Sequence, residues 1–143
     1  MNSVSTGMQS NIVSGEVLHK VQLQVLSDLA HAIMKTMGPA GSNTLILKGM
    51  SSDMLIADYT KDGNQLIKHI KYAGPLEMSI QTEIEQITRS IEKLVGDGTS
   101  TAVVMSYYIF EQIFNDEEID INKNPFEIIR QFKAAVELIK ARI

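Results

Sequence analysis

The sequence contains no cysteine and no tryptophan. Without cysteine there is neither a disulfide framework nor a thiolate metal site, and a reducing compartment is permitted. Aromatic residues make up 6% of the chain, too few for a base-stacking surface. No run of Lys or Arg stands out, and the formal net charge is -4, so an electrostatic nucleic-acid binder is not expected. No apolar stretch approaches the roughly 20 residues that a membrane-spanning helix needs. The opening residues, Met1-Asn2-Ser3-Val4, lack the charged and then apolar pattern of a signal peptide. What remains is an ordinary globular composition, 44% hydrophobic over 143 residues, sized for one domain and expected in the cytoplasm.

Residues 1–13 are small and polar and read as a flexible arm. From Ser14, a possible helix cap with Glu16 in the first turn, Leu18, Val21, Val25, Leu29 and Ile33 recur at helical spacing. That helix should stop near Met37, before Gly38-Pro39-Ala40-Gly41. Thr44–Leu47 and Met54–Ala57 read as the two strands of a β-hairpin around a loop at 48–53. Thr60–Gly63 is a turn before a short helix carrying Leu66, Ile67 and Ile70. Leu76, Ile80, Ile84, Ile87, Ile91 and Leu94 form the clearest helical stripe, with Glu83, Glu85 and Glu92 expected on its solvated face. It ends at Gly96-Asp97-Gly98, and Thr99-Ser100-Thr101 opens the next helix, whose apolar positions include Val103, Met105, Tyr108 and Ile109. After an acidic linker, Asn124-Pro125-Phe126-Glu127 is a strong helix start. The expected fold is therefore mainly α, a multihelical bundle with one hairpin.

Three turns at helix boundaries carry possible chemistry. Thr36-Met37-Gly38-Pro39-Ala40-Gly41 could let backbone amides approach a ligand, or could simply end a helix. Thr60-Lys61-Asp62-Gly63 could present amides to an anion, or be a turn with an Asp cap. Gly96-Asp97-Gly98-Thr99-Ser100-Thr101 is the most pointed. A helix N-terminus offers unpaired N–H groups and a positive dipole end to phosphate, and three hydroxyls add donors. Asp97 could hold a Mg²⁺ that bridges phosphate oxygens. The plain alternative is an Asp-Gly turn with Thr99 or Ser100 as a cap. The Gly-Lys-Ser/Thr ending of a P-loop is missing. His19, His31 and His69 have no metal-ligand spacing.

Taken in order, the three turns resemble the N-terminal half of the equatorial domain of bacterial-type (group I) chaperonins. Thr36-Met37-Gly38-Pro39 resembles that family's Thr-Leu-Gly-Pro, and Thr60-Lys61-Asp62-Gly63 matches its Thr-Lys-Asp-Gly. Gly96–Ala102 resembles its Gly-Asp-Gly-Thr-Thr-Thr-Ala. The resemblance implies that Thr36, Met37, Gly38 and Pro39 line a nucleotide pocket and that Lys61, Asp62 and Gly63 lie near the phosphates. It likewise implies that Asp97 holds Mg²⁺ and that Gly98, Thr99, Ser100 and Thr101 wrap the phosphates of ATP or ADP. It further implies a homo-oligomeric ring, joined through the hairpin near 43–58 and the N-terminal arm, with unfolded client proteins bound elsewhere in the subunit.

Residues 14–143 would be the N-terminal part of that domain. The rest of the equatorial domain and the intermediate and apical domains would be absent, and with them the carboxylate thought to activate water. No catalytic residue is therefore expected in this chain, and ATP hydrolysis is expected only of a complete chaperonin. Ala40 and Ser42 stand where the family usually has Lys and Arg, Ser100 stands for a Thr, and the stretch from Gly41 to Lys61 is longer than usual. These departures mark a divergent member. The readings to be weighed are an ATP-binding part of a folding chaperone, an assembly remnant without turnover, and an unrelated helical regulator.

Overall fold

The computed structural model describes residues 15–51, 54–116 and 124–143. The expected arm at 1–13, the proposed cap Ser14 and the acidic pair Glu117-Glu118 lie outside the described residues. In chain order the elements are α1 (Glu16–Met34), β1 (Thr44–Ser51), β2 (Met54–Thr60), α2 (Gly63–His69), α3 (Pro75–Val95), α4 (Thr99–Asn115) and α5 (Pro125–Lys140). Among the described residues no helix is long and apolar enough to cross a membrane.

Helix α1 is the central element. Its 3.6-residue period puts Val25, Leu26, Leu29, Ala30 and Ile33 on one buried face. Against that face pack Ile67 of α2, Ile80 of α3 and Val103 and Tyr107 of α4. The helix closes at Met34, three residues earlier than the sequence suggests. Its end tightens through i→i+3 bonds, from Thr36 N–H to the Ile33 carbonyl (2.8 Å) and from Met37 N–H to the Met34 carbonyl (3.2 Å). The Thr36 hydroxyl also donates to the Ile33 carbonyl at 2.7 Å, so the chain has left the helix before it reaches Gly38.

The hairpin is longer than expected. The antiparallel ladder runs from Thr44 opposite Thr60 to Ser51 opposite Met54, with a one-residue slip between Leu47 and Gly49. Lys48–Ser51, read from the sequence as loop, are strand. A two-stranded ribbon pairs backbone to backbone, and a bulge absorbs a break in side-chain alternation. Leu45, Leu47 and Tyr59 are exposed on it, and Ile46 is buried.

In α4, Tyr107 and not Tyr108 is buried, and Met105 is exposed. The Tyr107 hydroxyl donates to Glu111 Oε1 at 2.5 Å, and its ring meets His31 edge-on at 5.3 Å. A polar tip of this kind lets a tyrosine bury its ring where an apolar residue was expected. Helix α5 starts as the sequence suggests. Asn124 caps it by accepting from Glu127 N–H at 3.1 Å, and Pro125 holds the first position. None of its residues is buried.

Candidate functional site

Three connections converge at the C-terminal end of α1: the turn that follows this helix, the β2–α2 turn and the α3–α4 loop. The first residue of α2, Gly63, touches both the start of α4 and the last turn of α1. A Cβ there would stand 2.4 Å from Ser100 Oγ and 3.0 Å from Ile33 Cγ2. The absence of a Cβ lets the start of α2 lie against the start of α4 and the last turn of α1 without displacing the Ser100 hydroxyl. Thr36, buried and bonded to Ile33, anchors the first turn beside this contact. From that anchor Met37, Gly38 and Pro39 run on as an exposed turn, with Gly38 at φ 77°. The turn closes on itself: Ser42 N–H and Oγ both donate to the Lys35 carbonyl, at 2.9 and 3.1 Å, and Gly41 N–H donates to the Gly38 carbonyl.

Both glycines of the α3–α4 loop adopt left-handed backbone, Gly96 at φ 83° as the cap of α3 and Gly98 at φ 82° as the cap of α4. Gly98, and not Thr99 or Ser100, is therefore the N-cap, and α4 has no side-chain cap. This leaves the Thr99, Ser100 and Thr101 hydroxyls free of a capping role. The first amides of a long helix, with its positive dipole end, open toward the loop. Asp97 is exposed, and its Oδ1 accepts from Gly98 N–H at 2.6 Å. A carboxylate has a second oxygen with which to hold a cation. Among the described residues no three His, Asp or Glu side chains gather to cage a metal. A cation at Asp97 would thus need ligand oxygens and water to complete its shell, which is how Mg²⁺ is commonly held beside phosphates. The uncapped start of α4 and the exposed carboxylate of Asp97 fit a magnesium-bound polyphosphate.

In the β2–α2 turn, Asp62 caps α2 by accepting from Asn64 N–H at 2.9 Å, and Asp62 N–H donates to Thr60 Oγ1 at 2.9 Å. Lys61 is exposed between them. Sequence reasoning missed the residue that follows. Asn64 is buried, and its Nδ2 donates to Glu92 Oε2 at 2.8 Å. Glu92, expected to be merely solvated, is thus a partner of α2. At the other end of α2, the buried Gln81 of α3 donates through Nε2 to the Ile67 and Ile70 carbonyls, at 2.7 and 2.6 Å. The only available signal was the spacing of Gln81, Glu85, Thr88 and Glu92, which share one face of α3.

An open groove of about 270 Å³ lies elsewhere, along α1, α3 and α4, lined by Leu26, Ile84, Ile87, Ile91, Val103 and Phe110. Its lining is mostly apolar and offers little to a phosphate.

Residues 29–142 match the model of the TCP-1/cpn60 chaperonin family, a span that contains all three turns. The chain is 31% identical over 134 residues to heat shock protein 60A of Drosophila melanogaster, covering 94% of this chain and 22% of that protein. It is 34% identical over 106 residues to the chaperonin GroEL of Anaplasma phagocytophilum, covering 74% of this chain and 19% of that one. Among solved structures it is similar to the chaperonin gp146 of bacteriophage EL, crystallised in the presence of ATP-BeFx. There the TM-score is 0.64 and the identity 28%, over 76% of this chain and 19% of that one. The chain thus spans about a fifth of the length of these relatives.

Proposed function

The chain belongs to the TCP-1/cpn60 chaperonin family, as part of an equatorial domain of the bacterial type, and from that premise we propose that it binds Mg-ATP as the nucleotide-holding part of a protein-folding chaperone. The observation that carries this reading is the uncapped start of α4, where Ser100 lies against Gly63 at the start of α2 and Gly63 against Ile33 in the last turn of α1. In this reading the amides and hydroxyls of Thr99, Ser100 and Thr101 take the phosphates, with Gly98 giving close backbone approach. Asp97 holds Mg²⁺. Lys61, Asp62 and Gly63 border the phosphates, and Thr36–Pro39 border the rest of the nucleotide. Bound Mg-ATP would supply the phosphoanhydride bond and its charge. The residues of this chain would bind and orient it, and hydrolysis would belong to a complete chaperonin subunit.

The arm at 1–13 and the equatorial part at 14–143 form the proposed division of the chain. The exposed Leu45, Leu47 and Tyr59 of the self-paired ribbon support pairing with a neighbouring subunit in a homo-oligomeric ring, since an isolated hairpin is marginal in water. Client binding would lie in apical parts of a longer subunit, and the compartment proposed is the cytoplasm. The assembly-only reading draws on a separate observation. The open groove and the unburied apolar residues of α5, such as Phe126, Ile129 and Phe132, are surfaces made for packing and not for turnover.

Amide NMR of the labelled chain during a Mg-ADP titration tests the site. Shifts are expected at Gly38, Gly63 and Thr99–Thr101, with α5 unmoved. Shifts confined to the apolar groove would refute the proposed placement.

A further inference from the structure

Helix α2 is tied to α3 at both ends by buried amides. Gln81 takes the C-terminal end by donating to the Ile67 and Ile70 carbonyls. Asn64 takes the N-terminal end by donating to Glu92, 28 residues later in the chain. The two ends of this second tie do not stop at the pair. Asn64 N–H is bonded to Asp62 Oδ1 at 2.9 Å, so its backbone holds the β2–α2 turn. The Glu92 carbonyl accepts from Gly96 N–H at 2.9 Å, so its backbone holds the entry to the α3–α4 loop. A single side-chain bond thus connects the turn at Asp62 with the loop at Asp97.

The surroundings of Asn64 argue that this bond does more than hold two helices together. Asn64 is 4% exposed, and its Oδ1 is buried with no hydrogen-bond partner. The Glu92 carboxylate only accepts, which fixes the amide with Nδ2 toward it and leaves the carbonyl oxygen unpaired. Burying an unpaired carbonyl is unfavourable, and an apolar side chain would fill the same position without that penalty. Thr88, the most buried polar residue of the same α3 face, is by contrast satisfied within its own helix by the Glu85 carbonyl.

We infer that Asn64 and Glu92 are a positioning pair that sets the spacing between the Thr60–Gly63 turn and the Gly96–Gly98 loop, so that the two loops meet a polyphosphate as one unit. The role in ligand binding rests on the Mg-nucleotide reading; the coupling between the loops does not. The pair touches no reacting atom and acts through Asp62 and Gly96.

Hydrogen exchange of the whole chain tests the coupling, with Asn64→Ala, Glu92→Ala, the double variant and Glu92→Gln. Each alanine variant should speed exchange of the Gly96 and Ala102 amides, which are bonded to the Glu92 and Gly98 carbonyls, on the order of tenfold, and the double variant should be no faster than either single one, the mark of one shared interaction. Glu92→Gln keeps an acceptor and should restore near-native exchange. Because Glu92 is exposed, its variants should fold even if Asn64→Ala does not. Unchanged exchange at Gly96 and Ala102, or acceleration spread evenly over α2 and α3, would overturn the inference, the second because it describes a plain stabilising bond. Mg-ADP affinity on the same variants separates the two claims. Coupled exchange in a chain that binds no Mg-ADP would sink the nucleotide reading and leave the pair standing. Native Mg-ADP affinity in both alanine variants would overturn the role of the pair in ligand binding.

Discussion

Gly41→Ala should unfold the turn after α1 and lower the stability of the whole chain by about 1–3 kcal/mol, the usual range for forcing atoms into filled space. The added Cβ would stand 2.2 Å from the Thr36 carbonyl oxygen, 2.6 Å from its carbon and 2.9 Å from the Met37 oxygen. All three are backbone atoms of the turn and cannot rotate aside. Relief requires opening the turn, which strains the two bonds from Ser42 to the Lys35 carbonyl and the bond from Gly41 to Gly38. Thr36 and the exposed Met37–Pro39 then lose their fixed geometry, so Mg-nucleotide affinity should fall with the stability. Gly38→Ala is the control. Its backbone is left-handed, at φ 77°, but nothing lies within 4 Å of the added Cβ. Its effect should be limited to the roughly 1–2 kcal/mol that an L-residue costs in that conformation. Urea unfolding of the three proteins checks the order, native above Gly38→Ala above Gly41→Ala. Equal midpoints for native and Gly41→Ala would show that the turn is not packed as described.

Ile33→Ala should be the most destabilising single truncation near the site, by about 2–5 kcal/mol. Ile33 is fully buried, sits in the last turn of α1 and reaches the backbone of Gly63. Its removal leaves a cavity beneath the point where α2 and α4 meet. Small domains have only about 5–15 kcal/mol of total stability, so a loss of this size brings the chain close to unfolding. Ile33→Val, which removes one methylene, should cost only about 0.5–1.5 kcal/mol. Thermal unfolding by circular dichroism reads both. A melting temperature unchanged in Ile33→Ala would contradict the placement of this side chain at the centre of the core.

Helix limits were legible wherever a chemical stop existed. Gly96 and Gly98 bracket the α3–α4 loop, and Asn124-Pro125 opens α5, because left-handed backbone and capping are local properties of these residues. The end of α1 falls before the Gly-Pro stop because its last turn is closed by the Thr36 hydroxyl, a bond that no periodicity reveals. Lys48–Ser51 look like loop by composition, with Lys, Gly and Ser among them, whereas their conformation is set by pairing with β2. The helical pattern selects Tyr108 and not Tyr107, since either ring could face α1 and the choice depends on Glu111 and His31.

The three turns are legible as motifs, but the contact of Gly63 with Ser100 and Ile33 is a tertiary fact. Asn64, Gln81 and Glu92 carried no motif at all. Their partners lie on another helix, and a polar residue on an amphipathic helix ordinarily reads as solvent-facing. Buried polar ties of this kind are visible only once the helices are packed.

Calorimetry of Mg-ATP binding, on the native chain and on Asp97→Ala, in magnesium and in EDTA, tests the nucleotide site most directly. The expected result is binding that depends on magnesium in the native chain and loses that dependence in Asp97→Ala. Equal affinity in the two proteins, or native binding indifferent to EDTA, would contradict a magnesium-bound phosphate at the start of α4.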